Sequence, residues 1–278
     1  IITSILEHSF ENLTIKSIQF ADDSQIQYFG QYSFRNCSIE SIKIPSQVTY
    51  IGNHAFSYCK KLIIVEFPED SKLDIIDHHS FMYTSIQTIK IPSQVTTIKP
   101  YPFEKCLYLT KIEIPENSKL HSIERGFFSN TEVNCFTIPS QITELKEGWN
   151  EFSYKLSTIK VSPLNPYFKT IENGKILIGK STLEQPNYDL LLFWDRSIEK
   201  YTIHNFIEHI CPYSFECCYS LNEIEFPDDS KVKIIDNYSF SCTDLKIIKI
   251  PSQVTRINKN AFYFCNDLTK IEIPIDSN

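Results

Sequence analysis

His54 and His79 are the residues closest to a site chemistry in this chain. They occupy the same position of two successive repeated units, with Asp77 and His78 beside them. Imidazoles placed this way could contact a metal or a carbohydrate. Two imidazoles without a third fixed ligand hold a metal poorly. Tyr32 and Tyr101 fill the same position in the flanking units, so a stacked aromatic row along one edge of the fold is the simpler expectation. His8, His121, His204 and His209 are scattered. No metal or other cofactor is expected.

The nine cysteines are the second candidate chemistry. Cys37, Cys59, Cys106, Cys218 and Cys265 share one repeat position, which Thr84, Ser153 and Thr243 fill elsewhere. Small residues at a recurring place mark a cramped interior, where a free thiol acts as a small hydrophobe. Adjacent units would bring Cys37 and Cys59 close enough to bridge. The odd total and the unpaired members argue against a disulfide framework. There is no CxxC pair and therefore no zinc-site spacing. Acidic pairs such as Glu69-Asp70 and Asp228-Asp229 recur at equivalent links, as turn chemistry does. No Gly-rich phosphate loop and no nucleophile–base arrangement occurs, so an enzyme is not expected.

What positions these residues is a repeat. Ile-Pro-Ser-Gln-Val-Thr begins at Ile44, Ile91 and Ile250, and a near copy begins at Ile138. The first three of this series in chain order, Ile44, Ile91 and Ile138, are 47 residues apart, and a related unit lies between each pair. The chain is thus an array of alternating 22- and 25-residue units, about ten in all. A period of this size means a solenoid, in which each unit touches only its neighbours. Counting from an apolar anchor in each unit (Val48, Leu73 and Val95 among them), an apolar residue recurs three positions on. A Phe recurs eight positions on in nine of ten units, from Phe10 to Phe262. Asn150 breaks that column, with Trp149 and Phe152 beside it as replacements. Each unit closes with an alternating triplet such as Ile42-Lys43-Ile44 or Ile112-Glu113-Ile114. This period of two reads as a short strand, and a Pro ends it. Strands stacked this way must pair in parallel.

The run Val254 to Pro274, with Ala261-Phe262, Cys265, Leu268, Ile271 and Ile273, resembles the BspA-like class of leucine-rich repeats. Val48 to Pro68 matches nearly as well. The resemblance implies a leucine-rich-repeat solenoid, mainly β, with short helical or irregular turns and a parallel sheet on its concave face. It also implies a non-enzymatic surface or secreted protein that binds host cells, matrix proteins or other microbes. The alternative is an intracellular scaffold, which free thiols suit.

The period lapses over 163–200. Asn173-Gly174 lies there between two apolar runs, and a third run, Leu190 to Trp194, follows. A β-hairpin insert is expected in an otherwise single solenoid spanning 1–278. The outward residues of the strand triplets alternate in sign. They are Lys43, Glu66, Lys90, Glu113 and Lys160, then Glu225, Lys249 and Glu272. Each Lys should lie between two Glu neighbours about 5 Å away. These eight either neutralise one another along the ladder and stabilise its register or form the candidate surface for a protein partner. Ile64 and Ile247 beside them would be exposed unless covered. Net charge is −7 with no basic stretch, which argues against nucleic acid. No apolar run approaches the ~18 residues of a membrane helix. Sequons stand at Asn12, Asn36 and Asn237. The chain starts at Ile1 without a leader pattern and reads as a trimmed fragment. Neither end carries a polar cap, so the solenoid is expected to continue, or a partner to cover it.

Overall fold

The alternating apolar columns fold as stacked coils in the computed structural model, which describes residues 1–274. The chain divides into two compact units, Ile1–Lys155 and Leu156–Asn278. Each is a parallel β-solenoid. Among the described residues the one helical element is a 3-10 turn at Glu172–Gly174.

The short turns expected on the other arc are a run of overlapping β-turns. In the first coil the amides of Ser9, Glu11 and Leu13 bond back to the carbonyls of Leu6, His8 and Phe10. The amides between them reach the next coil, from His8 to Gln31, Phe10 to Ser33 and Asn12 to Arg35. This alternation leaves two residues per coil with positive φ, six and ten positions after the anchor. Examples are Tyr32 at 57° and Asn36 at 55°, and His54 at 54° and Tyr58 at 61°. A positive φ at the third place of a turn is the type II arrangement, which bends the chain sharply enough to close the coil.

Most coils carry two short strands. The triplet strands were expected to form the continuous sheet, and they do not. Ser41–Lys43 pairs with Ile64–Glu66, and Thr88–Lys90 with Lys111–Glu113, each as an isolated two-stranded ladder. The unbroken ladder in unit 1 runs through the dipeptides two and three positions after the anchor. It comprises Ser4–Ile5, Tyr28–Phe29, Tyr50–Ile51, Ile75–Ile76 and Thr97–Ile98. The break falls at every second step: from Lys43 to Glu66 is 23 residues and the strands pair, whereas from Glu66 to Lys90 is 24 and they do not.

The core is the column of rings. Phe34, Phe56, Phe81 and Phe103 are fully buried. Phe34, Phe56 and Phe81 stack with centroids 5.0 and 5.4 Å apart and planes within 3°. Where Asn150 interrupts the column, Trp149 is buried and meets Phe128 edge-on at 6.1 Å, whereas Phe152 is exposed. Unit 2 has a ring stack of its own, Phe215 on Phe240 at 4.9 Å and Phe240 on Phe262 at 5.4 Å.

All nine cysteines are free, Cys37 and Cys59 included. The recurring thiols have a specific partner. Cys37 donates to the Phe10 carbonyl, Cys59 to Phe34, Cys106 to Phe81 and Cys265 to Phe240, at 2.9–3.0 Å. Each thiol therefore satisfies a backbone oxygen of the coil before it. Where Thr84 or Thr243 takes the position, the hydroxyl bonds its own coil's Phe carbonyl at 2.9 Å. Burial pushes the Cys59 thiol up to about 12 and the Cys106 thiol to about 11. Such thiols stay protonated and unreactive.

In unit 2 the strands Phe168–Ile171 and Ile176–Gly179 pair antiparallel, and Leu190–Trp194 joins them antiparallel on the other side. Leu190–Trp194 then pairs parallel with His209–Ile210, so the sheet passes directly from hairpin to solenoid. Trp194 stacks on Phe215 with centroids 5.8 Å apart and thus begins the ring column of this unit.

Candidate binding surface

In the four triplet strands of unit 1 from Ser41–Lys43 to Lys111–Glu113 the middle residue is buried and the flanking residues face solvent. The period of two makes this unavoidable once Ile42, Val65, Ile89 and Ile112 enter the core. The exposed pairs in unit 1 are Ser41 and Lys43, Ile64 and Glu66, Thr88 and Lys90, Lys111 and Glu113. Ladder register sets Lys43 against Glu66 and Lys90 against Glu113. In unit 2 it sets Thr202 against Glu225 and Lys249 against Glu272. Lys160 is exposed on Thr158–Val161.

Opposition does not become ion pairing. Among the described residues none of these lysines closes an ion pair with the Glu facing it. Lys43 turns instead to Asp22 at 3.8 Å. Glu113 pairs with Lys111 and Glu272 with Lys270 (2.7 Å), each within its own strand. Residues two apart on one strand share a face, so a long lysine reaches along the strand as easily as across it. The expected Lys-between-two-Glu ladder is thus replaced by local pairs that leave Glu66, Lys90 and Lys249 unpaired.

The densest charged cluster was not visible in the repeat count. Lys200 bonds Glu223 at 2.7 Å and Glu225 at 3.1 Å, and Thr202 donates to Glu225 at 2.9 Å. The Lys200 bond, then that of Thr202, holds the Glu225 carboxyl below its usual range. The two glutamates hold Lys200 above its own. Lys200-Tyr201-Thr202 has the same exposed–buried–exposed rhythm as the other triplets, and that was the available signal.

A groove borders this face in both units. In unit 2 it encloses about 540 Å³ between Thr202, Glu225 and Lys249 on one side and Pro227, Pro251 and Pro274 on the other. In unit 1 a groove of about 330 Å³ lies between Lys43, Asp22, Pro45 and Pro68. The prolines that end the strands form its wall. Ile64 and Ile247 are 49% and 51% exposed, the same place in two repeats.

The histidines lie elsewhere. His54 and His79 stack at 4.8 Å, between Tyr32 and Tyr101 at 5.2 and 5.4 Å. Rings stacked face to face have no free face for a sugar. Burial, then the neighbouring His79, pulls the His54 pKa down to about 4. Burial lowers His79 too, against the opposing pull of Glu104 at 3.2 Å. The row ends where Gly126 replaces a ring. A Cβ there would stand 2.2 Å from Tyr101, whose ring lies over the glycine and donates to Glu151 at 2.8 Å. Arg125 grips the same carboxylate at 2.6 and 3.0 Å. Of the sequons, Asn12 and Asn36 are exposed and joined by a 2.9 Å side-chain bond, while Ser239 of the third is buried.

The BspA-type leucine-rich repeat region matches in six copies over residues 1–106, 74–175 and 191–278. No curated protein matches the chain. Among solved structures, the pneumococcal vaccine antigen PcpA is similar at 19% identity and a TM-score of 0.73, over 98% of this chain and 67% of that one. A leucine-rich repeat protein from Bacteroides ovatus is 24% identical with a TM-score of 0.64, over 99% of this chain and 65% of that one. A leucine-rich cell surface protein from Faecalibacterium prausnitzii is 23% identical with a TM-score of 0.59, over 94% and 87%. The chain spans about two thirds of the first two of these structures. At such identities the likeness is one of fold. Among the described residues no helix is long and apolar enough to cross a membrane. With a family match that covers nearly every coil, the chain belongs to the BspA-type leucine-rich repeat family.

Proposed function

We propose that this protein binds a protein partner through its triplet-strand face, outside the cell or on its surface, as a non-enzymatic adhesion module. The carrying observation is Ile64 in unit 1, with Ile247 at the equivalent place of unit 2 taken by itself. A β-branched apolar side chain half exposed at the same place in two repeats, ringed by charge, has the make-up of an interface anchor with a polar rim. The unpaired charges Glu66, Lys90 and Lys249 would give the contact its specificity. Similarity to a pneumococcal antigen and to a cell-surface protein supports the location, and host-cell or matrix proteins are the partners that would follow.

The test is binding of the labelled chain to cultured host cells and to immobilised matrix proteins. Ile64→Asp, and the pair Glu66→Lys with Glu113→Lys, should each weaken binding about tenfold or more while the melting midpoint holds. Unchanged binding by both variants would remove the strand face as the site. A second reading, an intracellular scaffold, draws on the nine free thiols. Microscopy of the native protein separates the two.

A further inference from the structure

Five of the nine cysteines lie in unit 2, and two of them share one repeat position in successive coils. Cys217 and Cys242 occupy the position ten places after the anchor in successive coils. Their φ angles are 58° and 56°, and the Cys217 amide donates to the Ser241 carbonyl at 2.9 Å. The two backbones are thus in register, one coil apart. Side chains at this position touch in several coils of unit 1. Asn36 bonds Asn12 at 2.9 Å, and the Tyr58 and Tyr83 rings stack at 5.0 Å. Coil spacing of about 5 Å falls within the Cα separation a disulfide spans. Cys37 and Cys59 are also coil neighbours, but both thiols are buried and each is engaged by a carbonyl of the coil before it. Cys217 and Cys242 stand one position earlier on the turn arc, where the Ser241 hydroxyl donates to the Cys242 sulfur at 3.6 Å and Tyr219 hydrogen-bonds the Cys217 thiol, so side chains rather than carbonyls engage them.

We propose that Cys217 and Cys242 are a reversible dithiol–disulfide pair that staples two coils of unit 2. The oxidant is a small-molecule disulfide of the glutathione class. Cys242, half-buried, is the accessible thiol, and Cys217 is buried. The Cys242 thiolate attacks one sulfur of oxidised glutathione, forming a mixed disulfide and expelling one glutathione thiolate. The Cys217 thiolate then attacks the Cys242 sulfur, forming the intramolecular bond and expelling the second. Two protein thiols lose two electrons and two protons, and the oxidised glutathione becomes two reduced molecules. Burial raises the Cys217 thiol to about 12, so the second step quickens as pH rises. Parallel coils aim the two Cβ atoms alike, which strains the bond and keeps it reducible. This pair is independent of whether the strand face binds a partner.

The test uses the full chain in buffers of reduced and oxidised glutathione, read by peptide mapping and intact mass. The expected product is a single Cys217–Cys242 disulfide, reversed by reduced glutathione, with a higher melting midpoint in the oxidised form. Cys217→Ser should trap glutathione on Cys242, and Cys242→Ser should take up none at Cys217. Other residues at this position include Asn, Tyr and Lys, so both variants should fold. A Cys242–Cys265 bond, or glutathione persisting on Cys242 of the unmodified chain, would overturn the proposal.

Discussion

Single side chains in this protein act by repetition, so each can be tested alone. Phe56 has no solvent exposure and rings stacked on both faces. Phe56→Ala should cost about 3–5 kcal/mol in denaturant unfolding. His54 carries a pH term with a definite sign. Its folded pKa is about 4 against an ordinary value of 6.5, so the unfolded chain takes the proton first. Stability from this group is full above pH 6.5 and falls as the pH drops through 6.5 to 4. His78, His79 and Arg35 oppose the charge, and Glu104 relieves it only at His79. His54→Tyr, the residue found at this place in neighbouring coils, should flatten the melting midpoint between pH 6.5 and 4. An unchanged slope would assign the term elsewhere. The Phe column and the shared Cys position were readable because they recur in fixed phase. The thiol's partner was not, since a backbone carbonyl leaves no trace in residue types.

At the scale of elements, the strands were legible and their pairing was not. An alternating triplet followed by Pro identifies each short strand. Triplet strands 23 residues apart bond and those 24 apart do not, while the dipeptide strands bond at both 22 and 25, so spacing alone does not foretell the pairing. The second ladder was hidden because its strands are two residues long and too short to alternate. The candidate surface suffered in the same way. Lys43 and Glu66 are opposite, as expected, but side-chain length let Lys43 reach Asp22 instead. The lock at the end of the aromatic row is an element-scale device. Tyr101, Arg125 and Glu151 join three successive coils through one buried carboxylate. Glu151→Gln should cost about 1–3 kcal/mol, because two donors lose a charged acceptor. Chemical denaturation measures it, and a loss within error would make the lock incidental.

For the whole molecule, the distribution of thiols offers a direct reading of the fold. Cys37, Cys59, Cys106, Cys211, Cys217 and Cys218 are buried, while Cys135, Cys242 and Cys265 are only partly so. A thiol reagent should modify the second group rapidly in the native chain. The first group should react only with unfolding. Rapid reaction of all nine under native conditions would contradict the stacking. A solenoid makes this partition steep, because a coil between two others has both faces covered.

The two positive-φ residues of each coil also govern how such a chain can change over evolutionary time. Across the array these places hold His, Tyr, Asn, Gly, Lys, Phe and Cys, and never Val, Ile or Thr. A side chain branched at Cβ is the worst fit to that backbone. Mutational drift at these sites is therefore filtered by branching, and scarcely by polarity or size. This gives the outer arc wide licence to vary its chemistry, from an asparagine ladder to a ring stack to a thiol pair, while the backbone beneath it repeats unchanged.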